Sequence, residues 1–288
     1  MLFLVNACRD EPIVISQLVR FSLLHLALQS FAEGLDKWSE PQLAALEERF
    51  QRYDFCADTR RTLQAERVLF GSGMIDYVRR SPDKLRLLDQ LGVTGQTQEP
   101  GYEIALVLIA AGPSGWLHLE QLNHSRLFEQ ALLPIIDLSK REIRPGESRE
   151  AEAKLSGVKN QAPAVQVLRH RFFAELLLPE LSNIAQKCAF AQTGADEAAI
   201  ACALERYRLA QGQFPDSLKA VAPRFISQLA HDIINGKPLR YRHLNDNNYL
   251  LYSVGWNEID DGGTAGTSKS GEGADLKEGD WVWSKLSH

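Results

Sequence analysis

The residues best suited to chemistry lie near the C-terminus. Ser253-Val-Gly-Trp-Asn257-Glu-Ile-Asp260-Asp261-Gly-Gly, followed by Gly273-Ala-Asp275 and by Asp280, alternates hard oxygen donors with glycines. Calcium takes about 6–8 oxygens from carboxylates, amides and main-chain carbonyls. Glycine lets a carbonyl turn inward where a side chain would clash. The run reads either as a calcium-holding loop or as a flexible acidic loop without metal.

Other candidates are weaker. His118-Leu-Glu120 and His124 span close to two helical turns, so they can face one way, but residues so spaced are more often packed or exposed without a ligand. Gly71-Ser72-Gly73 lacks the strand–turn–helix setting of a nucleophile elbow and reads as a helix break, as does Gly112-Pro-Ser-Gly115. Cys8, Cys56, Cys188 and Cys202 stand apart with no zinc-ligand spacing. Cys188 and Cys202 lie about 21 Å apart on a continuous helix, too far to bridge, and read as buried small hydrophobes. Tyr241, Tyr249 and Tyr252 read as strand-face aromatics. Trp256, Trp281 and Trp283 read as a packed cap over a sheet rather than a recognition patch. Catalysis is not expected.

Composition sets the frame for these residues. The 288 residues carry 44% hydrophobic and 24% charged side chains and a net charge of -5, which is globular in type and leaves no basic footprint for nucleic acid or an anionic membrane. No stretch reaches the roughly 18–20 uninterrupted apolar residues of a membrane span. Met1-Leu-Phe-Leu-Val is too short for a signal peptide and lacks its basic flank. The helical pattern begins within a dozen residues, which leaves room for an upstream segment.

The elements follow from periodicity and caps. From Pro12, residues Leu18, Phe21, His25, Leu28 and Phe31 or Ala32 recur at helical spacing. Ser39-Glu-Pro-Gln42 forms a capping box opening a helix with Leu43, Leu46, Phe50, Tyr53 and Ala57 inward, expected to run toward Gly71. Ser81-Pro-Asp-Lys starts a short helix ending at Gly92, and 92–101 reads as a mobile polar tip. Further helices are expected from Tyr102 to Gly112 and from Ser114 to Lys140, with Pro134 bending or ending the second. The polar stretch 143–163 suggests a boundary between an all-helical part, 1–160, and a second part, 164–288. The second part predicts a helix to Gln211, kinked at Pro179, with Leu177, Leu181, Ile184, Cys188, Ala191, Ala195, Ala198 and Cys202 on one stripe. Gly212 then ends the helix, Asn235-Gly236 turns, and Leu239–His243 and Tyr249–Val254 form an antiparallel hairpin. The fold class is α+β: an all-helical N-terminal part, then a long helix packed on a small antiparallel sheet.

Four motifs in order carry a resemblance. Leu178-Pro179-Glu-Leu, the Ala-rich helix, Ala203-Leu204-Glu-Arg-Tyr207-Arg-Leu and Gly212-Gln-Phe214-Pro215 resemble the spine helix of the type II secretion major pseudopilins. Asp232-Ile-Ile-Asn235-Gly236-Lys-Pro-Leu-Arg-Tyr241 resembles that family's strand entry. Tyr249-Leu-Leu-Tyr252-Ser253-Val-Gly255 resembles its Tyr-Asp-Leu-Tyr-Ser-x-Gly strand. Gly262-Gly263, Gly271-Glu-Gly-Ala-Asp275-Leu and Trp281 resemble its ending. The likeness covers roughly residues 175–283; the rest resembles large bacterial envelope proteins that carry such a module at the C-terminus.

The resemblance implies structural calcium in the C-terminal loop, with Ser253, Asn257, Asp260, Asp261 and Asp275 as ligand candidates. Asn257 falls where the family has its first Asp, which removes a charge, and Asp275 matches the Ala-Asp residue. The family's apolar membrane half-helix is missing: Leu168-Arg-His-Arg171-Phe-Phe-Ala-Glu175 carries charges that cost several kcal/mol each at mid-bilayer. That segment is expected to pack on the N-terminal helices, which argues against pilus polymerisation. The implied protein is non-enzymatic, periplasmic or envelope-associated, and works through protein partners. The alternative is an enzyme or small-ligand binder with a pocket in the helical part, around His118, Glu120 and His124.

Overall fold

A computed structural model describes residues 1–91, 102–159, 162–178, 181, 183–245, 248–267 and 274–283. The expected polar tip at 92–101, the kink at Pro179 and Gly271-Glu-Gly273 lie outside the described residues.

The chain is mostly helical with a small antiparallel sheet. The organising element is α12, Ile184–Gln211, 28 residues long. Gly212 closes it in the left-handed conformation at φ 82°, its N–H bonded to Arg208 O, where a side chain would be strained. The expected single stripe is an incomplete description of this helix. Nearly every residue from Ile184 to Glu205 is buried, including Gln192, Thr193, Asp196 and Glu197. A helix covered on all faces is a core helix, and its many alanines let neighbours approach from every side.

Those neighbours come from both ends of the chain. α2 (Val14–Glu33), α3 (Glu40–Gln51) and α4 (Phe55–Glu66) gather on one side of α12, with α1 (Leu2–Ala7) packed on α2. On the other lies a three-stranded antiparallel sheet in the order β3 (Arg240–Asn245), β4 (Asn248–Ser253), β7 (Trp281–Trp283), with β5 (Ala265–Thr267) and β6 (Ala274–Gly279) paired as a separate ribbon. Leu251 opposes both Tyr241 and Trp283 across it. The expected hairpin is present. Trp256, Trp281 and Trp283 are all buried; Trp281 meets Phe190 of α12 edge-on and Trp283 meets Phe31 of α2, so they form the packed cap.

A second, smaller core joins α5 (Gly73–Arg80), α6 (Lys84–Gln90), α7 (Tyr102–Ala111) and α8 (Ser114–Leu127) with α10 (Pro163–Leu168) and α11 (Phe172–Leu177). Leu88, Leu106, Ile109 and Phe173 fill it. Phe172 and Phe173 follow Arg171 directly, so the charged segment before Pro179 does pack on the N-terminal helices. The stretch 143–163, read as a boundary, holds α9 (Pro145–Lys159) and the start of α10. Both cores draw residues from before and after it.

Several boundaries differ from expectation for local reasons. The helix opened by the Ser39–Gln42 capping box stops at Gln51, because Asp54 accepts a hydrogen bond from Ala57 N (2.9 Å) and starts α4. A π-helical turn, Arg67–Ser72, follows α4, and another, Phe128–Leu132, follows α8. The helix expected from Ala164 to Gln211 is three helices, with His170 at positive φ in the first break. His25 faces outward; Leu24, Gln17 and Arg20 take the inner face of α2. The N-terminal part also holds a minimal hairpin, β1 (Ile136–Asp137) and β2 (Glu142–Ile143), stitched to the C-terminal part by Ile143 N donating to Ile233 O (2.8 Å). By length and composition α2 is apolar enough to cross a membrane. In this fold it packs on α12 with Arg20 fully buried and paired with Asp58.

Candidate functional site

The C-terminal loop hangs from the end of β4. Buried Asp232 ties it there: Oδ1 accepts from Ser253 Oγ (2.9 Å) and Ile234 N (3.0 Å), and Oδ2 from Val254 N (3.0 Å). Ser253 Oγ accepts from Gly255 N (3.2 Å) in turn. The Asn235-Gly236 turn is thereby knotted to the strand end. Beneath it Glu197 of α12 is bonded by the Ser253 backbone. Burial pushes its carboxyl well above the usual carboxylate range, and the charges of Asp232 and Asp196 push further the same way. Its Oε1 has no partner.

The acidic residues of the loop serve as its internal ties. Asp260 accepts from the Tyr252 hydroxyl (3.0 Å) and Gly262 N (3.1 Å) and pairs with Arg240 (3.1 Å). The Tyr252 hydrogen bond is the main reason its carboxyl lies below the usual range. Asp261 Oδ2 accepts from Asn257 Nδ2 (3.0 Å), and Asn257 Oδ1 from Ile259 N (3.1 Å). Buried Asp280 accepts from Gly263 N (2.6 Å) and Asp261 N (3.3 Å), its carboxyl raised by burial. Asp275 accepts from Lys277 N (2.9 Å).

The five candidate calcium ligands therefore fall into separate pairings. Ser253 is turned to Asp232, Asp260 is matched by a guanidinium, Asp261 is joined to Asn257, and Asp275 closes its own turn. Among the described residues no three or more His, Cys, Asp or Glu side chains converge to hold a metal.

The second candidate group separates. His118 is exposed and bonded to Gln121. Glu120 and His124, one turn apart, are 2% and 1% exposed. Glu120 accepts from Phe172 N (3.3 Å) and Phe173 N (3.1 Å), docking the first turn of α11 onto α8. Burial raises its carboxyl to about 7. Burial, then the charge of Arg67, lowers His124 to about 4, so it is neutral. Its ring lies on the Gly71 backbone, where a Cβ would come within 2.0 Å of Cε1. Gly71 is thus both a helix irregularity and a seat for a ring.

Two polar groups escape the sequence reading. Arg20 donates to Val5 O (2.8 Å), Gln17 Oε1 (2.6 Å) and Asp58 Oδ2 (3.1 Å) at the centre of α1, α2 and α4. Asp196 pairs with Arg141 (2.8 Å) beside His231. The available signal was a charged residue inside an otherwise apolar helical run, Arg20 in α2; Asp196 and Glu197 lie off the expected apolar stripe of α12 and gave none. No protein-family model, curated protein or solved structure matches the chain.

Proposed function

We propose that the protein is a non-enzymatic, envelope-associated interaction protein whose residues 164–288 form a pseudopilin-like module. One observation carries the reading most: α12 passes through Gly212 and Phe214-Pro215 into the β3–β4 hairpin and lies against it. The Asp/Gly loop then returns to β7, which pairs with β4. That is the element order the four motifs imply. Tyr241 OH donating to Pro215 O (2.7 Å) and Phe214 packed edge-on to Tyr249 (4.8 Å) join three of those motifs.

Protease digestion of intact cells, of cells with a permeabilised outer membrane and of lysed spheroplasts, followed by antibody to the native protein, tests the location. Digestion on permeabilisation is expected; protection until spheroplasts are lysed would overturn it. Calcium would compete with Arg240 for Asp260 Oδ2 and with Asn257 for Asp261 Oδ2. Thermal unfolding is therefore expected to give the same midpoint in EDTA and in calcium. Binding the native state at about 100 times the dissociation constant adds about 2.7 kcal/mol, so an upward shift lost in Asp261→Ala would restore the calcium assignment.

A further inference from the structure

A cleft of about 450 Å³ lies between α4 and the chain from Pro134 to Arg144. That is within the size range of small-ligand pockets, about 300–1,000 Å³. Three arginines line it, Arg60 and Arg61 of α4 and Arg144 beyond β2, against one carboxylate, Asp137. Gln64, one helical turn after Arg60, stands exposed at its edge.

Arg60 is the centre of this cleft. Its Nη1 donates to two main-chain carbonyls, Leu133 O and Ile136 O (the second at 2.7 Å). Those bonds fix the guanidinium without neutralising it, and among the described residues no carboxylate pairs with it. Its Nε and Nη2 have no partner there either, and both stay open to solvent. These two N–H groups form one edge of the planar guanidinium, the fork that takes two oxygens of a phosphate or carboxylate side by side. A fork already held in place loses little freedom when a ligand arrives.

The neighbouring charges leave the cleft positive. Arg144, its side chain 37% exposed, gives Nη2 to Asp137 and keeps Nε and Nη1 unpaired. The other oxygen of Asp137 is taken by Ser139 and by Lys140 N (3.3 Å). Behind Arg61, Asp58 is shared among Arg9, Arg20 and Arg61, and exposed Asp10 lies 3.7 Å from Arg61. Five guanidiniums against three carboxylates leave two positive charges in excess, on a chain whose net charge is -5. A carboxylate ligand would match one of those charges and use only the Arg60 fork.

We propose that this cleft binds a phosphate dianion, two of its oxygens on the Nε–Nη2 edge of Arg60 and a third toward Arg144. A phosphoryl group carries about -1.5 to -2 charge near pH 7 and offers three strong acceptor oxygens, which meets both the excess charge and the unpaired N–H groups. A water's share of the liquid is only about 30 Å³, so the cleft has room for a good deal more than an ion. The dianion can arrive as inorganic phosphate or at the end of a small organic ester, and both offer Arg60 the same chemistry.

Isothermal titration of the full chain at pH 7.5 with inorganic phosphate, glycerol 3-phosphate and dimethyl phosphate tests the site. Saturable binding of a dianion is expected, at least about tenfold tighter than singly charged dimethyl phosphate, since a hydrogen bond to a charged group is worth about that factor. Arg60→Lys keeps the charge but removes the fork, and is expected to weaken binding about tenfold or more. Gln64→Glu places a like charge at the exposed edge and is expected to weaken it about fivefold, the effect of about 1 kcal/mol of repulsion, while circular dichroism stays unchanged. That variant keeps the test decisive if Arg60→Lys does not fold. No saturable binding of either dianion, equal binding of dimethyl phosphate, or undiminished binding to Gln64→Glu would each overturn the proposal. Once binding is found, glycerol 3-phosphate binding more tightly than inorganic phosphate identifies an organic ester, and the reverse the free ion.

Discussion

Arg20 shows what one buried charge asks of its surroundings. Its guanidinium is engaged by a main-chain carbonyl, an amide and Asp58, and lies 5.1 Å from the Phe55 ring centroid. Asp58 is equally committed, also receiving Arg9 (3.2 Å) and Arg61 (3.3 Å) at the surface end. Removing one partner of a buried pair strands the other and costs about 3–5 kcal/mol, whereas replacing a whole pair by apolar residues is often neutral. Asp58→Asn is therefore expected to lower stability by about that amount in urea unfolding. A loss within about 0.5 kcal/mol, the level of an ordinary surface substitution, would show that the exposed arginines and solvent already satisfy Arg20. The sequence displayed Arg20 and Gln17 only as polar interruptions in α2, because their partners lie in α1 and α4 and no spacing rule connects them.

At the level of an element, α8 carries two titrating groups with opposite effects. Glu120 has its carboxyl raised from 4.5 to about 7, so the folded state keeps a proton that the unfolded chain releases. Its contribution is full below pH 4.5 and is lost as pH rises toward 7. His124 is lowered from 6.5 to about 4, so the unfolded chain takes up a proton that the folded state refuses. Its contribution is full above pH 6.5 and is lost as pH falls toward 4. Each gap of about two and a half pH units is worth roughly 3 kcal/mol, and between pH 4.5 and 6.5 the two slopes cancel. Relative to wild type, His124→Asn is expected to lose stability as pH rises through that window, and Glu120→Gln to gain it. Difference profiles from urea unfolding at stepped pH, if both flat, would falsify the pairing. Helix ends were readable where a cap stood beside a breaker, as at Ser39–Gln42 and Gly212. They were not at Asp54, which fits a helix interior as well as a cap, nor at Arg67–Ser72, where the π turn answers to a ring on another helix.

For the whole molecule, α12 decides most properties. Glu197 sits inside it with a carboxyl raised by burial and by Asp232 and Asp196. Its contribution is therefore present below pH 4.5 and lost as pH rises toward its folded value. Glu197→Gln, which keeps an acceptor for the Ser253 backbone, is expected to raise the melting temperature at pH 8 while leaving it unchanged at pH 4; equal midpoints at pH 8 would refute a protonated Glu197. The α+β class, the hairpin and the Trp cap were legible because strand alternation, turn residues and aromatics are local signals. The all-round burial of α12 was not: alanine points to no particular face, and Asp196-Glu197 imitates a solvent side. The loop acids looked like ligands because sequence shows donors without their partners, and Arg240 becomes a partner of Asp260 only once β3 and β4 pair. Residues 164–288 alone would leave the α2, α3 and α4 face of α12 in water, so that fragment is expected to bind a hydrophobic dye and to lack the dispersed amide spectrum of the full chain. A dispersed spectrum from the fragment would show that the sheet alone is enough for α12. Neighbours on every side have one more consequence: a filament grows when identical spines lie against one another, and from Ile184 to Glu205 this helix has no bare side on which a second copy of itself could be laid.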